Sequence, residues 1–194
     1  MKCLPQFETC PECVARAVKA LPPLEGRARL AAIGLWAGSA AFSVLTAISL
    51  WQLVGGTRAS TLAIRTAATT LPLVVLATAV FVSMWTHRAV THALARGAQL
   101  DAGSPGGAVV SWYIPIVNLV RPFNIMREML EHARCDTSLV GVWQGLWVIG
   151  GIAANVSGRF QGTMGIAVSI ASSVAMIGAG VVGAQVVRSL KWAP

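Results

Sequence analysis

The chain has 194 residues, of which 55% are hydrophobic and 11% are charged. Soluble domains carry about 25% charged residues, so an ordinary water-facing globule is excluded. The formal net charge of +8 would suggest a nucleic-acid partner for a soluble protein, but here the basic residues lie at the ends of apolar stretches, where they indicate membrane topology and phospholipid contact. We therefore expect membrane lipid as a partner and no nucleic acid.

The N-terminal segment, residues 1–28, holds three of the four cysteines. Cys10 and Cys13 are separated by two residues, which is the spacing of half a zinc ribbon, but the other half is missing. One interpretation is a cytoplasmic zinc site in which Cys135 or His132 is the fourth ligand beside Cys3, Cys10 and Cys13. The alternatives are unligated thiols in a degenerate ribbon and a redox dithiol.

Four uncharged stretches follow, of 25, 21, 22 and 28 residues, at 30–54, 66–86, 137–158 and 160–187. A helix that spans a bilayer needs about 20 residues. We therefore predict an all-α integral membrane protein, a four-transmembrane-helix bundle within residues 29–194. Its helices are expected at about 30–54, 66–94, 137–158 and 162–188, with the second continuing past the membrane into the cytoplasm.

Small residues recur at intervals of four in these stretches, and membrane helices associate where such residues let backbones approach closely. The intervals join Gly34 to Gly38, Gly141 to Gly145, and Ala179 to Gly183. We interpret them as packing inside the bundle, with a second copy of the chain as the alternative partner. Asn155 is expected to hydrogen-bond between helices. The spans contain no Asp, Glu, Lys or Arg, which argues against a pump or coupled transporter.

The distribution of lysine and arginine predicts the orientation. Five of the fifteen precede the first span, five lie between the second and third, and two follow the fourth, which leaves three on the other side. Because basic residues favour the cytoplasmic side, we expect both termini in the cytoplasm. Counting the apolar stretch 106–120 as a fifth span would remove this bias, and that stretch has only 15 residues and contains Pro115. We therefore predict a re-entrant or interfacial element within residues 104–134, joining helices two and three and closing the cytoplasmic end of the bundle.

This connection carries an aromatic turn and then an amphipathic pattern. Trp112 begins the aromatic run, and the amide of Asn118 is expected to satisfy backbone groups that Pro115 and Pro122 leave free. From Phe123 onward, apolar and charged residues alternate with helical periodicity. We expect this helix to lie along the membrane surface.

Three basic residues, Arg88, His92 and Arg96, are four apart on the extension of the second helix and share one face. With Arg121 and Arg127 of the connection, they form a candidate contact for a lipid headgroup, a small anion or a protein partner. Haem ligation by His92 and His132 also stays open.

An ordered series of residues runs through this region: Trp85, Arg88, Gly97, Ala98, Ser104, Pro105, Gly106, Trp112, Pro115, Asn118, Pro122, Arg127 and Glu128. In this series the chain resembles a bacterial family catalogued as domain of unknown function 4328, over roughly residues 30–191. The chain departs from the family pattern at His92, where the family usually has Asn, and at Gly107, where it usually has Trp. The resemblance implies a multi-pass protein of the bacterial cytoplasmic (inner) membrane, and it implies no activity.

For function, the patterned residues are aromatic residues, prolines and an asparagine, not nucleophiles or acid and base pairs, so we do not expect an enzyme. The first hypothesis is a scaffold or regulatory module that binds another membrane or cytoplasmic protein through the loop. The second is a small lipid-handling or solute-permeation protein, which predicts a cavity among the span hydroxyls. An enzyme would require a pocket that gathers Arg88, His92 and His132.

Overall fold

The computed structural model describes residues 11–54, 61–160 and 162–190, and in these ranges the chain forms helices joined by turns. In chain order the helices are α1 (Pro11–Lys19), α2 (Glu25–Leu53), α3 (Thr61–Ala95), α4 (Pro105–Val110), α5 (Arg121–His132), α6 (Ser138–Ser157) and α7 (Gly162–Ser189). A short 3-10 turn, Val117–Leu119, lies between α4 and α5.

Four of these helices are long and apolar enough to cross a membrane: α2, the Thr69–Ala95 part of α3, α6 and α7. The all-helical class and the four apolar helices agree with the sequence prediction. The apolar stretch 106–120 does not make another long helix, because α4 ends at Val110 and turns follow it. It is part of a compact connection between α3 and α6.

The long helices pack as a row, with α2 against α3, α7 against α2 and α6 against α7. Glycines permit the close approaches in this row. A Cβ at Gly180 of α7 would lie 2.8 Å from the carbonyl oxygen of Leu35 and still closer to the Ser39 hydroxyl, and a Cβ at Gly34 would lie 3.2 Å from Thr78 Cα in α3. Within the described ranges, α3 and α6 are not among the extensively packed pairs, and the two ends of the row leave an opening between them.

Part of the small-residue prediction is wrong. Positions 141 and 145 of α6 have open space where a Cβ would point, so Gly141 and Gly145 do not mediate packing inside the bundle. Asn155 is exposed and donates to the carbonyl of Gly151 in its own helix at 2.8 Å, instead of bonding to a neighbouring helix. A polar side chain within a helix can bond to the carbonyl one turn back, and this competes with interhelical bonding.

The largest buried side chains gather at the end of the bundle where the α3–α6 connection lies. Trp85 of α3 and Phe123, Met126 and Leu130 of α5 are each at most 2% exposed. The predicted apolar face of α5 is therefore confirmed, and it packs against the protein core. That this helix lies along the membrane surface stays a prediction.

Two helices in this region end with a residue in the left-handed region. At the end of α3, Gly97 has φ +84°, and the N–H of Ala98 donates to the carbonyl of Ala93 at 3.0 Å. At the end of α5, Arg134 has φ +55°, and the N–H of Cys135 donates to the carbonyl of Leu130 at 2.8 Å. Both are Schellman endings, and they turn the chain sharply so that the connection folds back on the bundle.

Candidate functional site

A cavity of about 140 Å³ lies among the four long helices. Its wall is mainly aliphatic and aromatic, and the side chains come from every long helix and from the connection. The larger of them are Leu35, Phe42, Val75, Val82, Trp112, Tyr113, Trp143, Trp147 and Met176. None of the described residues that line the cavity is charged.

The serine and threonine hydroxyls in the cavity wall are already engaged by the protein. Ser39 Oγ of α2 lies 3.1 Å from the carbonyl oxygen of Ile177 in α7. Thr78 Oγ1 of α3 lies 2.9 Å from the carbonyl oxygen of Gly34 in α2. These bonds join neighbouring helices, so the hydroxyls hold the wall together and the space between them is apolar.

An aromatic cluster closes one end of the cavity. Trp112 stands between α5 and α6, with its ring centroid 6.0 Å from Phe123 and 5.9 Å from Trp143, and the Phe123 and Trp143 rings meet edge to face at 5.4 Å. Beside it, the hydroxyl of Tyr113 is 2.7 Å from Ser83 Oγ of α3. The connection therefore fills the opening between α3 and α6 at this end.

The start of the connection is tied to α4 and α5. Ser104 caps α4 by accepting from the N–H of Gly107 at 3.0 Å, and Pro105 occupies the first turn. Glu128 accepts from the N–H of Asp101 at 2.9 Å, and Arg121 donates to the carbonyl of Asp101 at 2.9 Å. These contacts fix the Ser-Pro-Gly turn and the residues before it against α5.

A glutamine of α6 also holds the middle of the connection. Gln144 donates to the carbonyl of Leu119 at 2.9 Å. Nearby, the amide oxygen of Asn118 is buried and has no hydrogen-bond partner, so the predicted bonding of Asn118 to backbone near the prolines is not seen. The indole N–H of Trp112 is also buried and unpartnered, as is that of Trp85.

His92 and Arg96 do lie together, as the four-residue spacing predicts. His92 is 6% exposed, and its Nε2 is 3.0 Å from the carbonyl oxygen of Pro22. Because a carbonyl only accepts, Nε2 carries the proton, and Nδ1 can then accept from Arg96 Nη1 at 3.2 Å. Both ring nitrogens are thus used within the chain, which leaves none for a haem iron in this conformation.

The other predicted basic residues are elsewhere. Arg121 pairs with Asp101 at 3.5 Å, and Arg127 pairs with Glu131 at 2.8 Å. Arg88 is half-buried on α3. His92 and Arg96 line a cleft where α2 begins and α3 and α7 end. Neither these three arginines nor His132 is among its lining residues.

The zinc hypothesis stays a prediction. Cys3 and Cys10 lie outside the described residues, and Cys13 belongs to α1. Cys135 follows α5 and is half-buried against the core. Among the residues that the structure does describe, no three His, Cys, Asp or Glu side chains form a metal-binding group.

Comparison with known families confirms the resemblance that the residue series from Trp85 to Glu128 indicated. The family model described as Domain of unknown function (DUF4328) matches residues 56–191. The chain belongs to the DUF4328 family. No curated protein and no solved structure matches it. The DUF4328 match includes α3 to α7, and α2, which forms another wall of the cavity, precedes it.

Sequence reasoning missed two residues that organise the cavity and the connection in this DUF4328 protein, Trp143 and Gln144. They are adjacent near the start of α6, and one contributes to the aromatic cluster while the other holds Leu119. A signal was present, because a glutamine in an otherwise apolar span needs a polar partner, and the start of that span lies close to the connection.

Proposed function

We propose that this DUF4328 protein is a non-enzymatic membrane protein that holds part of a lipid acyl chain in the cavity between its four long helices. The observation that carries the proposal is the apolar, uncharged cavity, in which the hydroxyls of Ser39 and Thr78 donate hydrogen bonds to carbonyls of neighbouring helices. An ion or a charged solute would find no compensating group there, whereas a hydrocarbon chain needs none.

The cavity size limits how much of a lipid can enter. An apolar cavity of about 150 Å³ stays dry and accepts one benzene molecule. The observed 140 Å³ therefore suits a segment of about six carbons by that comparison, and the rest of the lipid must remain outside. Such a site requires an opening toward the bilayer.

The opening is on the side of α3 that faces α6. Val75 and Tyr113 both line the cavity, and they are also 42% and 57% exposed. The absence of extensive α3–α6 packing in the described ranges fits a lateral entrance here. Trp112, Phe123 and Trp143 would then stop the chain at the end where the connection lies.

The scaffold hypothesis has weaker support. It uses the basic stripe as a contact surface, but His92 is buried and bonded to Pro22, and Arg96 is bonded to His92. Arg121 and Arg127 are each paired with an acid. These contacts hold the side chains in place, so they do not form one shared contact surface. Arg96 lines a cleft that Arg121 and Arg127 do not line.

Photocrosslinking tests the lipid proposal. The protein is placed in nanodiscs of phosphatidylcholine whose acyl chain carries a diazirine, and adducts are mapped by peptide mass spectrometry. We expect adducts on Phe42 and Met176, which line the cavity, as well as on outward residues such as Ile149, which is 62% exposed.

A matched pair of variants provides the control. Gly38 lines the cavity, and a Cβ there would meet only Thr78 Oγ1 at 3.9 Å, so Gly38→Leu should fill the cavity without displacing α3. Gly141→Leu adds the same side chain on the outer face of α6. We expect Gly38→Leu to remove the Phe42 and Met176 adducts and to spare those on Ile149, and Gly141→Leu to spare all three. Adducts confined to outward residues in the unmodified protein, or equal effects of the two variants, would refute the proposal.

A further inference from the structure

A second cavity, independent of the acyl-chain site, lies where α2 begins and α3 and α7 end. We refer to it as the basic cleft. Its volume is about 570 Å³, within the range of about 300–1,000 Å³ that is usual for ligand sites. Three arginines line it, one from each of these helix ends: Arg29, Arg96 and Arg188.

The cleft carries an excess of positive charge. Among the described residues of its lining, Glu25 is the only acidic one. The two ion pairs found in the described ranges involve Arg121 and Arg127, so neither of them neutralises Arg29 or Arg188. Two exposed guanidinium groups therefore flank the cleft without a carboxylate partner from those parts of the chain.

The third arginine is held in place. The Nη1 of Arg96 lies 3.2 Å from the carbonyl oxygen of His92, and His92 is in turn fixed by Pro22. Partial burial lowers the pKa of Arg96, because the charged guanidinium has lost part of its hydration. An anion close to such a group interacts with it more strongly than it would in open water.

We propose that the basic cleft binds a phosphate-bearing anion through Arg29, Arg96 and Arg188. Guanidinium groups present paired N–H donors that match the oxygens of a phosphate group. The cleft lies at the ends of three membrane-length helices, which is the level at which lipid phosphates are found. The anion is therefore either the headgroup of an acidic phospholipid or free phosphate.

The cleft and the acyl-chain cavity can be tested separately. Arg29 lies six residues before Leu35, the nearest cavity residue on α2, and this corresponds to about 9 Å along the helix. The two linings share none of the residues that the structure describes. Failure of one proposal therefore does not decide the other.

The test compares two anion sources. Thermal unfolding is followed for the protein in neutral detergent with and without inorganic phosphate, and for the protein in nanodiscs of phosphatidylcholine with and without phosphatidylglycerol. The variants are Arg29→Gln, Arg188→Gln and their combination. Arg127→Gln removes an equal charge from an exposed residue outside the cleft and serves as the control.

We expect an increase in Tm with at least one of the two anions. Affinity for that anion should fall roughly tenfold for each cleft arginine removed, because one charge-assisted hydrogen bond is lost each time. Stabilisation by inorganic phosphate indicates a free anion, and stabilisation by phosphatidylglycerol alone indicates a lipid headgroup. No stabilisation by either anion, or an equal loss with Arg127→Gln, would overturn the proposal. Arg29 and Arg188 are exposed, so their replacement should leave the fold intact.

Discussion

At the scale of single residues, glycines decide where the helices of this protein touch. Gly183 of α7 is buried, and a Cβ there would lie 2.7 Å from Trp143 Nε1 and 2.9 Å from its Cε2. The Trp143 indole lines the cavity among the four long helices, so the absence of a side chain at Gly183 leaves room for an aromatic ring of another helix.

Gly183→Ala should therefore destabilise the protein by about 1–3 kcal/mol, the usual cost of overpacking a core. The ring must move, and its contacts with Trp112 and Phe123 must change with it. Thermal unfolding in detergent measures the loss, and near-ultraviolet circular dichroism reports on the aromatic cluster. Gly145→Ala, which adds a methyl group to open space, should leave both signals unchanged or raise Tm slightly. Equal effects of the two changes would show that helix propensity, and not contact, is responsible.

The two Schellman endings differ in one residue type. Gly97 adopts φ +84° without steric cost, but Arg134 holds φ +55° with a Cβ present. A left-handed conformation costs a residue with a Cβ about 1–2 kcal/mol, and glycine loses about 0.5–1 kcal/mol more chain entropy on folding.

Arg134→Gly should thus stabilise the protein by up to about 1 kcal/mol, and Gly97→Ala should destabilise it by about 1 kcal/mol. Denaturant unfolding of both variants under the same conditions provides the comparison. A loss of stability with Arg134→Gly would mean that the arginine side chain contributes more than its backbone strain costs.

At the scale of the elements, the α3–α6 connection shows what periodicity can and cannot reveal. The apolar face of α5 was predictable from the spacing of its residues, because a helix repeats every 3.6 residues. Periodicity does not show what covers that face. Lipid and the protein core are equally apolar, so either could cover the apolar face of α5. In the structure, Phe123 and Met126 are buried against the protein.

The connection should detach locally when its polar contacts are removed. Gln144→Leu deletes the bond to Leu119, and Tyr113→Phe deletes the bond to Ser83. Each hydrogen bond contributes a net stabilisation of about 0.5–1.5 kcal/mol, so the double variant should expose residues 110–120 to hydrogen exchange by roughly tenfold or more.

Exchange in α2 and α7 should stay the same, since these contacts do not involve them. Thr91→Val is a suitable control because it removes an exposed bond within α3, to the carbonyl of His87, and leaves the connection untouched. Uniform acceleration across the whole chain in the double variant would indicate that the connection is required for global stability and does not open by itself.

At the scale of the whole molecule, the order in which the helices pack explains which parts of the site the sequence could indicate. The number of spans follows from the length and hydropathy of each segment, because a helix must be long and apolar enough to cross the bilayer whichever helices pack beside it. Neighbour relations depend on side-chain packing between distant segments. Arg29 and Arg188 were not candidates because nothing local places α2 and α7 beside Arg96, whereas Arg121 and Arg127 were candidates through proximity in sequence and are paired with nearby acids instead.

The orientation of the bundle is the remaining global prediction. The cleft, the connection and most of the basic residues lie at one end of the long helices, so the positive-inside tendency assigns that end to the cytoplasm. Two exposed positions at opposite ends of the bundle test this assignment: Gln99, which follows α3, and Arg159, which follows α6.

Single cysteines are introduced at these positions in a background where the four native cysteines are replaced by serine, and intact cells are treated with a membrane-impermeant maleimide. We expect labelling of Arg159→Cys in intact cells, and labelling of Gln99→Cys only after permeabilisation. The reverse pattern would keep the four-helix architecture and invert its orientation. Labelling of both positions from the same side would instead contradict the architecture, because α6 alone separates Arg159 from the end of the bundle that carries the connection, and a helix of 20 residues just reaches across the hydrocarbon core.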